Sequence, residues 1–384
     1  MRIYVNGYGL VKISRWFNDS IEDIVLKSIK DMESRTEPLP EVDAIIVSNS
    51  FSSVMQSQNI LASLIAEDLG LIGKSTFTVE NGGAGGGSAV FLAFSLLKSG
   101  EAKNVLIVGV EKTSDYISTV YNHALSLFLN AEHESFYGAT LASNFAVIGR
   151  EYISRYGYGE DDLASWPVLM HENALDVPHA QLKFRISREQ VMGSDPVSLP
   201  IRVLHSPPMS DGAAVLLISN EDSSLSKETR LAEIKAASVV SDFMELSIRE
   251  NLTEFPALRK LRERIERKAG YNVKNVDIMD ISDDYTVPVP IVLEELEIAE
   301  RGKGLKSIVE GMYRLGDKPS VNLTGGTKAR GHPFGATGIY QVAELTSLLS
   351  DNRVKNAKVN AERAFALSMG GVGTVFAGIV LEKV

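Results

Sequence analysis

Twice along this chain, a glycine-rich turn opens onto a helix-length apolar segment that gives way to an apolar strand. In the first half Gly82-Gly83-Ala84-Gly85-Gly86-Gly87-Ser88-Ala89-Val90 leads into a helical pattern over 88–97 and then the strand-like run Val105-Leu106-Ile107-Val108. In the second half Gly331-His332-Pro333-Phe334-Gly335-Ala336-Thr337-Gly338-Ile339 leads into a helix and then a strand near 375–381. Small residues at a strand-to-helix turn let the backbone come close to a ligand, a partner helix or a nucleophile's substrate. One such unit in each half points to an internal duplication, and restricts the fold to the α/β class, in which helices cover buried sheets.

The rest of the pattern is read in the same frame. Ala44-Ile45-Ile46-Val47 is a second run of strand length, and 59–69 has a helical period. The opening Met1-Arg2-Ile3-Tyr4-Val5-Asn6-Gly7 reads as a strand entering a turn, not as a charged segment before an apolar one. Residues 115–202 are irregular and rich in aromatics, an insertion that folds over the first core and is partly helical at 140–156. The polar, serine-rich stretch 220–227 is the best linker, so the expected halves are 1–220 and 228–384. In the second, Leu258, Leu261 and Ile265 mark one face of a helix over 258–269 with a solvated charged face, and Gly270 is its C-cap.

Composition then removes function classes. With 384 residues, 44% of them hydrophobic, there is material for a two-domain core. A net charge of -10 argues against non-specific nucleic-acid binding, which needs basic surface. There is no cysteine, hence no disulfide, no thiolate metal site and no cysteine nucleophile. The six histidines have no metal-like spacing, so no metal is expected. The apolar run at 89–97 is too short to span a bilayer, and the expected location is cytoplasmic. For Gly82–Gly87 itself, a dinucleotide fingerprint fails because Ser88 stands where the last glycine belongs, and a P-loop fails for want of lysine. A turn that carries an acyl-transfer nucleophile and tight helix packing at a subunit interface both stay open.

Other segments discriminate. Asn322-Leu323-Thr324-Gly325-Gly326, followed by Gly331 through Gly338, resembles the thiolase family's glycine pair and its Gly-His-Pro-x-Gly-Ala-Thr-Gly signature. His205-Ser206-Pro207-Pro208-Met209-Ser210-Asp211-Gly212-Ala213-Ala214 is similar to the segment closing that family's first half. Phe365-Ala366-Leu367-Ser368-Met369-Gly370-Gly371 resembles its last active-site loop, and Val79-Glu80 with Val108-Gly109-Val110-Glu111-Lys112 fits the nucleophile region. The match spans the chain in order, and is similar above all to archaeal and sterol-carrier-type thiolases.

The resemblance implies the thiolase fold: two duplicated α/β halves layered α-β-α-β-α, with a loop domain inserted in the first. Thiolases interconvert acyl-CoA and 3-ketoacyl-CoA through an acyl-cysteine. Carried over by position, the activating histidine is His332, whereas the nucleophile's place is taken by Gly83. The second acid/base cysteine corresponds to Ser368, the oxyanion-motif residue to Ser282, and the cysteine often found before Ser-Pro to His205. The amides of Gly83 and Gly370 are the expected donors of an oxyanion hole. Without a nucleophile, only about 10³–10⁴-fold acceleration over water is left to positioning and oxyanion binding.

The favoured expectation is a thiolase-like protein of acyl-CoA metabolism with altered or absent transferase activity, taking coenzyme A or an acyl-CoA as ligand and no covalent cofactor. One alternative is a non-catalytic subunit of an archaeal thiolase-type complex, with a zinc-containing OB-fold protein as partner. Another is an acyl-CoA hydrolase or decarboxylase that uses His332, with Ser88 and Ser368 as substitute nucleophiles. By the same resemblance the chain forms a homodimer or a dimer-built tetramer.

Overall fold

The computed structural model describes residues 1–35 and 38–384. The first half runs β1 (Ile3–Leu10), α1 (Ile21–Glu33), β2 (Ala44–Ser48), α2 (Leu61–Asp68), β3 (Ser75–Val79), α3 (Gly85–Ser99) and β4 (Asn104–Glu111). An insert follows, built of α4 (Ser118–Ser126), α5 (Leu141–Tyr156), α6 (Ser165–Ala174), α7 (Arg188–Gly193) and the short pair β5 (Pro196–Ser198) and β6 (Ile201–Arg202). The chain returns as β7 (Gly212–Asn220). The second half runs β8 (Ala232–Ser241), α8 (Pro256–Ala269), β9 (Ile278–Ile281), α9 (Pro288–Glu295), α10 (Gly304–Val309), β10 (Ser320–Val321), α11 (Phe334–Leu349), β11 (Arg363–Gly370) and β12 (Val375–Lys383).

Ten strands line up as β10-β9-β11-β12-β8-β1-β7-β4-β2-β3. Read outward from the middle, both halves carry the same plan. β2 is parallel to β3 and β4, and β7 is antiparallel to β4 and β1. Likewise β9 is parallel to β10 and β11, and β12 is antiparallel to β11 and β8. The pairs Tyr4↔Glu233 and Val5↔Ala232 join the two sets.

Strand alternation explains the layers. On β2, Ala44 and Ile46 face one apolar cluster while Ile45 and Val47 face another; on β4, Val105 and Ile107 oppose Leu106 and Val108 in the same way. The shared cluster holds α3, α11 and the inner faces of both strand sets. α1 and α2 cover the outer face of the first set, and α8 with the insert covers that of the second. The two glycine-opened helices therefore form the central layer of an α-β-α-β-α stack.

At that layer the helices touch backbone to backbone. A β-carbon at Gly86 would lie 2.7 Å from the Ile339 amide nitrogen, and one at Gly338 would lie 2.3 Å from that of Gly87. Helix packing is thus what these glycines serve, but it is packing inside one chain, not at a subunit interface. Three expectations change in detail. β1 continues through Asn6-Gly7 because a bulge between Val5 and Gly7 absorbs the irregularity. α3 starts at Gly85, so Ser88 lies inside its second turn, its hydroxyl donating to the Ala84 carbonyl at 2.9 Å. The counterpart of β4 is β11, most of the segment read as a loop at 365–373, and not the strand near 375–381. Among the described residues no helix is long and apolar enough to cross a membrane.

Candidate functional site

In a sheet with parallel strands, functional loops gather at the strands' carboxyl ends. Four such ends converge here: the turn Gly82–Ala84 after β3, the loop 282–286 after β9, the turn Gly326–Arg330 after β10 and the bend 369–371 after β11. The duplication sets the start of α3 and the start of α11 side by side, which brings Gly83 against His332. A β-carbon on Gly83 would sit 3.4 Å from His332 Cε1 and 3.6 Å from its Nε2.

The space at Gly83 is nevertheless filled. The same β-carbon would lie 2.4 Å from the Met369 carbonyl oxygen, and one on Gly370 would lie 2.2 Å from the Asn81 carbonyl oxygen. The two turns interlock through their glycines, and backbone, not open space, adjoins the α-carbon of Gly83. Phe128 of the insert covers the turn from outside, 3.4 Å from a β-carbon at Gly82. It packs at a tilt against Phe51 and Phe334 at centroid separations of 5.0 and 5.4 Å, and the Phe334 ring centroid lies 3.8 Å from that of His332.

His332 is 1% exposed. Its Nδ1 lies 2.8 Å from Thr337 Oγ1, which in turn donates to the Pro333 carbonyl, so the ring proton belongs on Nδ1 and the lone pair on Nε2. Nε2 has no hydrogen-bond partner among the described residues; its nearest acid is Asp284 Oδ1 at 3.5 Å. Burial, helped by the Arg330 charge, pulls His332 down to about 3. Burial pushes Asp284 up to about 7, against the Thr327 hydroxyl, which donates to Asp284 Oδ1 at 3.0 Å. Near neutrality the imidazole is uncharged and the carboxyl holds much of the pair's proton.

The other expected positions are not aimed at His332. Ser368 turns into the helix layer, beside Gly87 and Gly338, and donates to Gln341 Oε1 at 2.7 Å. Ser282 accepts from the Met369 amide at 3.0 Å, so it fixes the bend that fills the site. Gly370 supplies close approach, as above. His205 is buried at the insert's last turn, its Nδ1 accepting from the Arg202 amide at 3.2 Å.

Three groups that hold the site lie within the family-like segments, Glu111 in the nucleophile region and Asp283 and Asp284 in the oxyanion motif with Ser282, but were assigned no role from sequence. Asp283 accepts from the Thr327 amide at 2.6 Å and from Trp166 Nε1 at 2.9 Å, tying the loop after β9 to the turn after β10 and to the insert. Glu111, pushed up to about 7 by burial, accepts from the amides of Ser50 and Gly335, each at 2.9 Å, and so fixes the start of α11. Asp284 is the third. The available signal was a pair of acids one residue after a short buried strand, a position that ordinary packing avoids.

A duplicated α/β protein with a histidine at one central helix and a paired turn at the other defines the class, and comparison with known proteins gives the family. A model of the thiolase N-terminal domain matches residues 18–190, and one described as thiolase C-terminal domain-like matches 238–383. An acetyl-CoA acetyltransferase of Methanocaldococcus jannaschii is 32% identical over 99% of this chain and 99% of its own length. Human sterol carrier protein 2 is 26% identical over 97% of this chain and 71% of its own. A solved structure, the Ltp2-ChsH2(DUF35) aldolase, superposes with a TM-score of 0.83 at 21% identity, covering 100% of this chain and 98% of that one. The chain belongs to the thiolase family.

Proposed function

We propose that this protein binds coenzyme A or an acyl-CoA as its family does but forms no acyl-enzyme at position 83. The observation that carries the reading is the Met369 carbonyl, 2.4 Å from where a side chain at Gly83 would begin. Covalent transfer needs a nucleophile there, and both its atoms and its room are missing. Incubation with acetoacetyl-CoA and coenzyme A, followed by intact-protein mass spectrometry, is expected to give no acetyl adduct. An adduct formed at a rate that supports turnover would overturn the reading.

A second reading rests on the His332–Asp284 pair. An uncharged imidazole with a free Nε2 beside a carboxyl near neutrality is a base next to an acid, a set suited to hydrolysis or decarboxylation of an acyl-CoA. In that reading the neutral Nε2 accepts a hydrogen bond from the attacking water or the substrate and orients it, while Asp284, which exchanges its proton near neutrality, takes and returns the proton. His332→Ala is then expected to abolish any such turnover; unchanged turnover would remove the mechanism. Two assembly features go with the proposal. Edge strand β3 is largely exposed and carries Phe77, with Ile60 and Ile72 exposed beside the neighbouring α2, a face fitted to a second copy of the chain. The solved aldolase is described with a DUF35 partner, which supports our reading that a zinc-containing OB-fold protein associates with this chain as well.

A further inference from the structure

A small cleft opens where three separated segments meet: the stretch just past β1, the end of α1 and the chain just past α11, with Pro178 and His179 of the insert closing one side. Its volume is about 190 Å³, below the roughly 300–1,000 Å³ of sites that enclose a whole ligand, so it fits one small group. Its polar lining is Lys12, Asp31, Arg35, His179 and Arg353. The guanidinium carbons of Arg35 and Arg353 each lie 5.4 Å from the centroid of the same Tyr8 ring, which brings both cations to one spot.

The charges there do not cancel. Asp31 accepts from the Leu10 amide at 2.9 Å and from Arg35 Nη2. Asp351, beside the cleft, accepts from Arg353 Nε at 2.6 Å, from the Tyr8 hydroxyl at 2.8 Å and from Ser347 Oγ at 2.7 Å. Asp176, the nearest acid along the insert, is taken by Lys355 Nζ at 2.6 Å. Lys12 is exposed and makes no ion pair with the described residues, so three cations stand against two acids that are already engaged.

His179 brings a different kind of atom. Its side chain is 6% exposed, its carbonyl accepts from the Ile13 amide at 2.9 Å, and its ring stacks on Tyr340. Nε2 lies 2.6 Å from Glu344 Oε1; Glu344 also accepts from Arg330 and Thr324, so the imidazole is the donor. Nδ1 is left without a partner among the described residues, on a ring that lines the cleft. In the neutral ring that atom is a lone pair, in the imidazolium an N–H. A phosphate group meets either form, because its second ionisation, with a pKa of about 6, gives it an exchangeable proton beside its bare oxygens. A carboxylate, ionised near neutrality, has no proton to offer the lone pair.

The same histidine is tied to the candidate site. Glu344 Oε2 accepts from Arg330 Nη1 at 2.6 Å, and Arg330 stands just before Gly331 and His332. Backbone repeats the link. The Gln181 amide donates to the Arg330 carbonyl at 2.9 Å, and Gln181 Oε1 accepts from Ser210 Oγ, which itself accepts from the His332 amide at 3.0 Å. A bond made at Nδ1 polarises the ring and changes the strength of the Nε2–H bond to Glu344, so occupancy of the cleft acts on the turn that carries His332.

We propose that this cleft binds a phosphate group, as inorganic phosphate or a small phosphate monoester, and that its occupancy is transmitted through His179, Glu344 and Arg330 to His332. It is a second site that needs no part of the acyl-CoA reading, so the two stand or fall separately. Lys12 and Arg353 bind the anion and His179 also positions the turn; none of them touches reacting atoms.

The test titrates inorganic phosphate, and in parallel glycerol phosphate, into the full chain by calorimetry in a chloride buffer of low ionic strength. NMR of ring-labelled histidine follows the same additions. We expect saturable binding, weakened about tenfold or more by Lys12→Gln and by Arg353→Gln, both changes at exposed side chains. The tighter of the two ligands identifies the source of the phosphate. The ring signals of His179 and His332 should shift with one midpoint, while that of His123, exposed on the insert, stays in place. No saturable binding to the wild-type chain, or undiminished binding to both variants, overturns the site. Binding with an unmoved His332 signal overturns the transmission.

Discussion

A β-carbon at position 83 would have to displace the Met369 carbonyl, which is held in turn by the Ser282 hydroxyl on the Met369 amide. Because the nearest obstacle is a backbone oxygen, with the His332 ring next at 3.4 Å, relief needs movement of the bend after β11. Gly83→Ala is therefore expected to destabilise by about 1–3 kcal/mol, the usual cost of overpacking, read as a lower urea midpoint at constant m. An unchanged midpoint would mean that the two turns yield easily. Beside it, Asp284 supplies a pH signature. Its folded carboxyl binds the proton more tightly than the unfolded chain, from 3.8 up to about 7. The stability this gives is complete below about pH 4 and is lost as pH rises through about 7. Asp284→Asn has no such loss, so the variant should gain on the wild type across that window, by at most about 1.4 kcal/mol per pH unit. A pH-independent difference in chemical unfolding would refute the perturbed carboxyl. His332, Gly83 and the glycine turns were legible because a long sequence signature names them. The Met369 carbonyl was not, since a backbone atom's position leaves no mark on residue type.

The two central helices depend on glycine where they cross. At Gly338 a β-carbon would meet the Gly87 amide at 2.3 Å and the Ser368 hydroxyl at 2.6 Å, so backbone and a buried polar group obstruct it together. Gly338→Ala is expected to cost about 3 kcal/mol and to lower Tm more than Gly100→Ala. Gly100 has open space, and only its left-handed φ of 82° opposes a side chain. Equal effects would argue against close helix contact. At this scale the sequence reads well where periodicity is clean. The helix expected at 140–156 is α5 with Thr140 as its cap, and that at 258–269 is α8 with Gly270 in the left-handed cap conformation. It reads poorly at β11, where both faces are buried and small residues alternate with large ones, so that Arg363–Gly370 shows neither amphipathic period. The loop expectation came from the segment's resemblance to the thiolase family's last active-site loop. Ser368 lies on that strand, with its hydroxyl turned to Gly87 and Gly338 of the central helix layer and bonded to Gln341.

The whole molecule is one α/β plan written twice, with strand order and sense repeated in each set. That symmetry puts two helix starts at one place, which is why residues about 250 positions apart meet at the candidate site. It also leaves β3 as the free edge of the first set. If that edge mates with a second copy, Phe77→Lys should shift sedimentation velocity from dimer to monomer, since a charge on an exposed strand edge opposes pairing. A monomeric wild-type chain would remove the dimer proposal. The duplication was legible in the two glycine units, whereas the sealing of one site by the other half's backbone became visible only in three dimensions. The most direct measurement is calorimetric titration of acetoacetyl-CoA, with coenzyme A present, into the purified chain. A saturable binding heat that decays to the dilution baseline is expected, because ligand is held and no acyl-enzyme turns over. Sustained heat flow from thiolysis, or no binding heat at all, would contradict it.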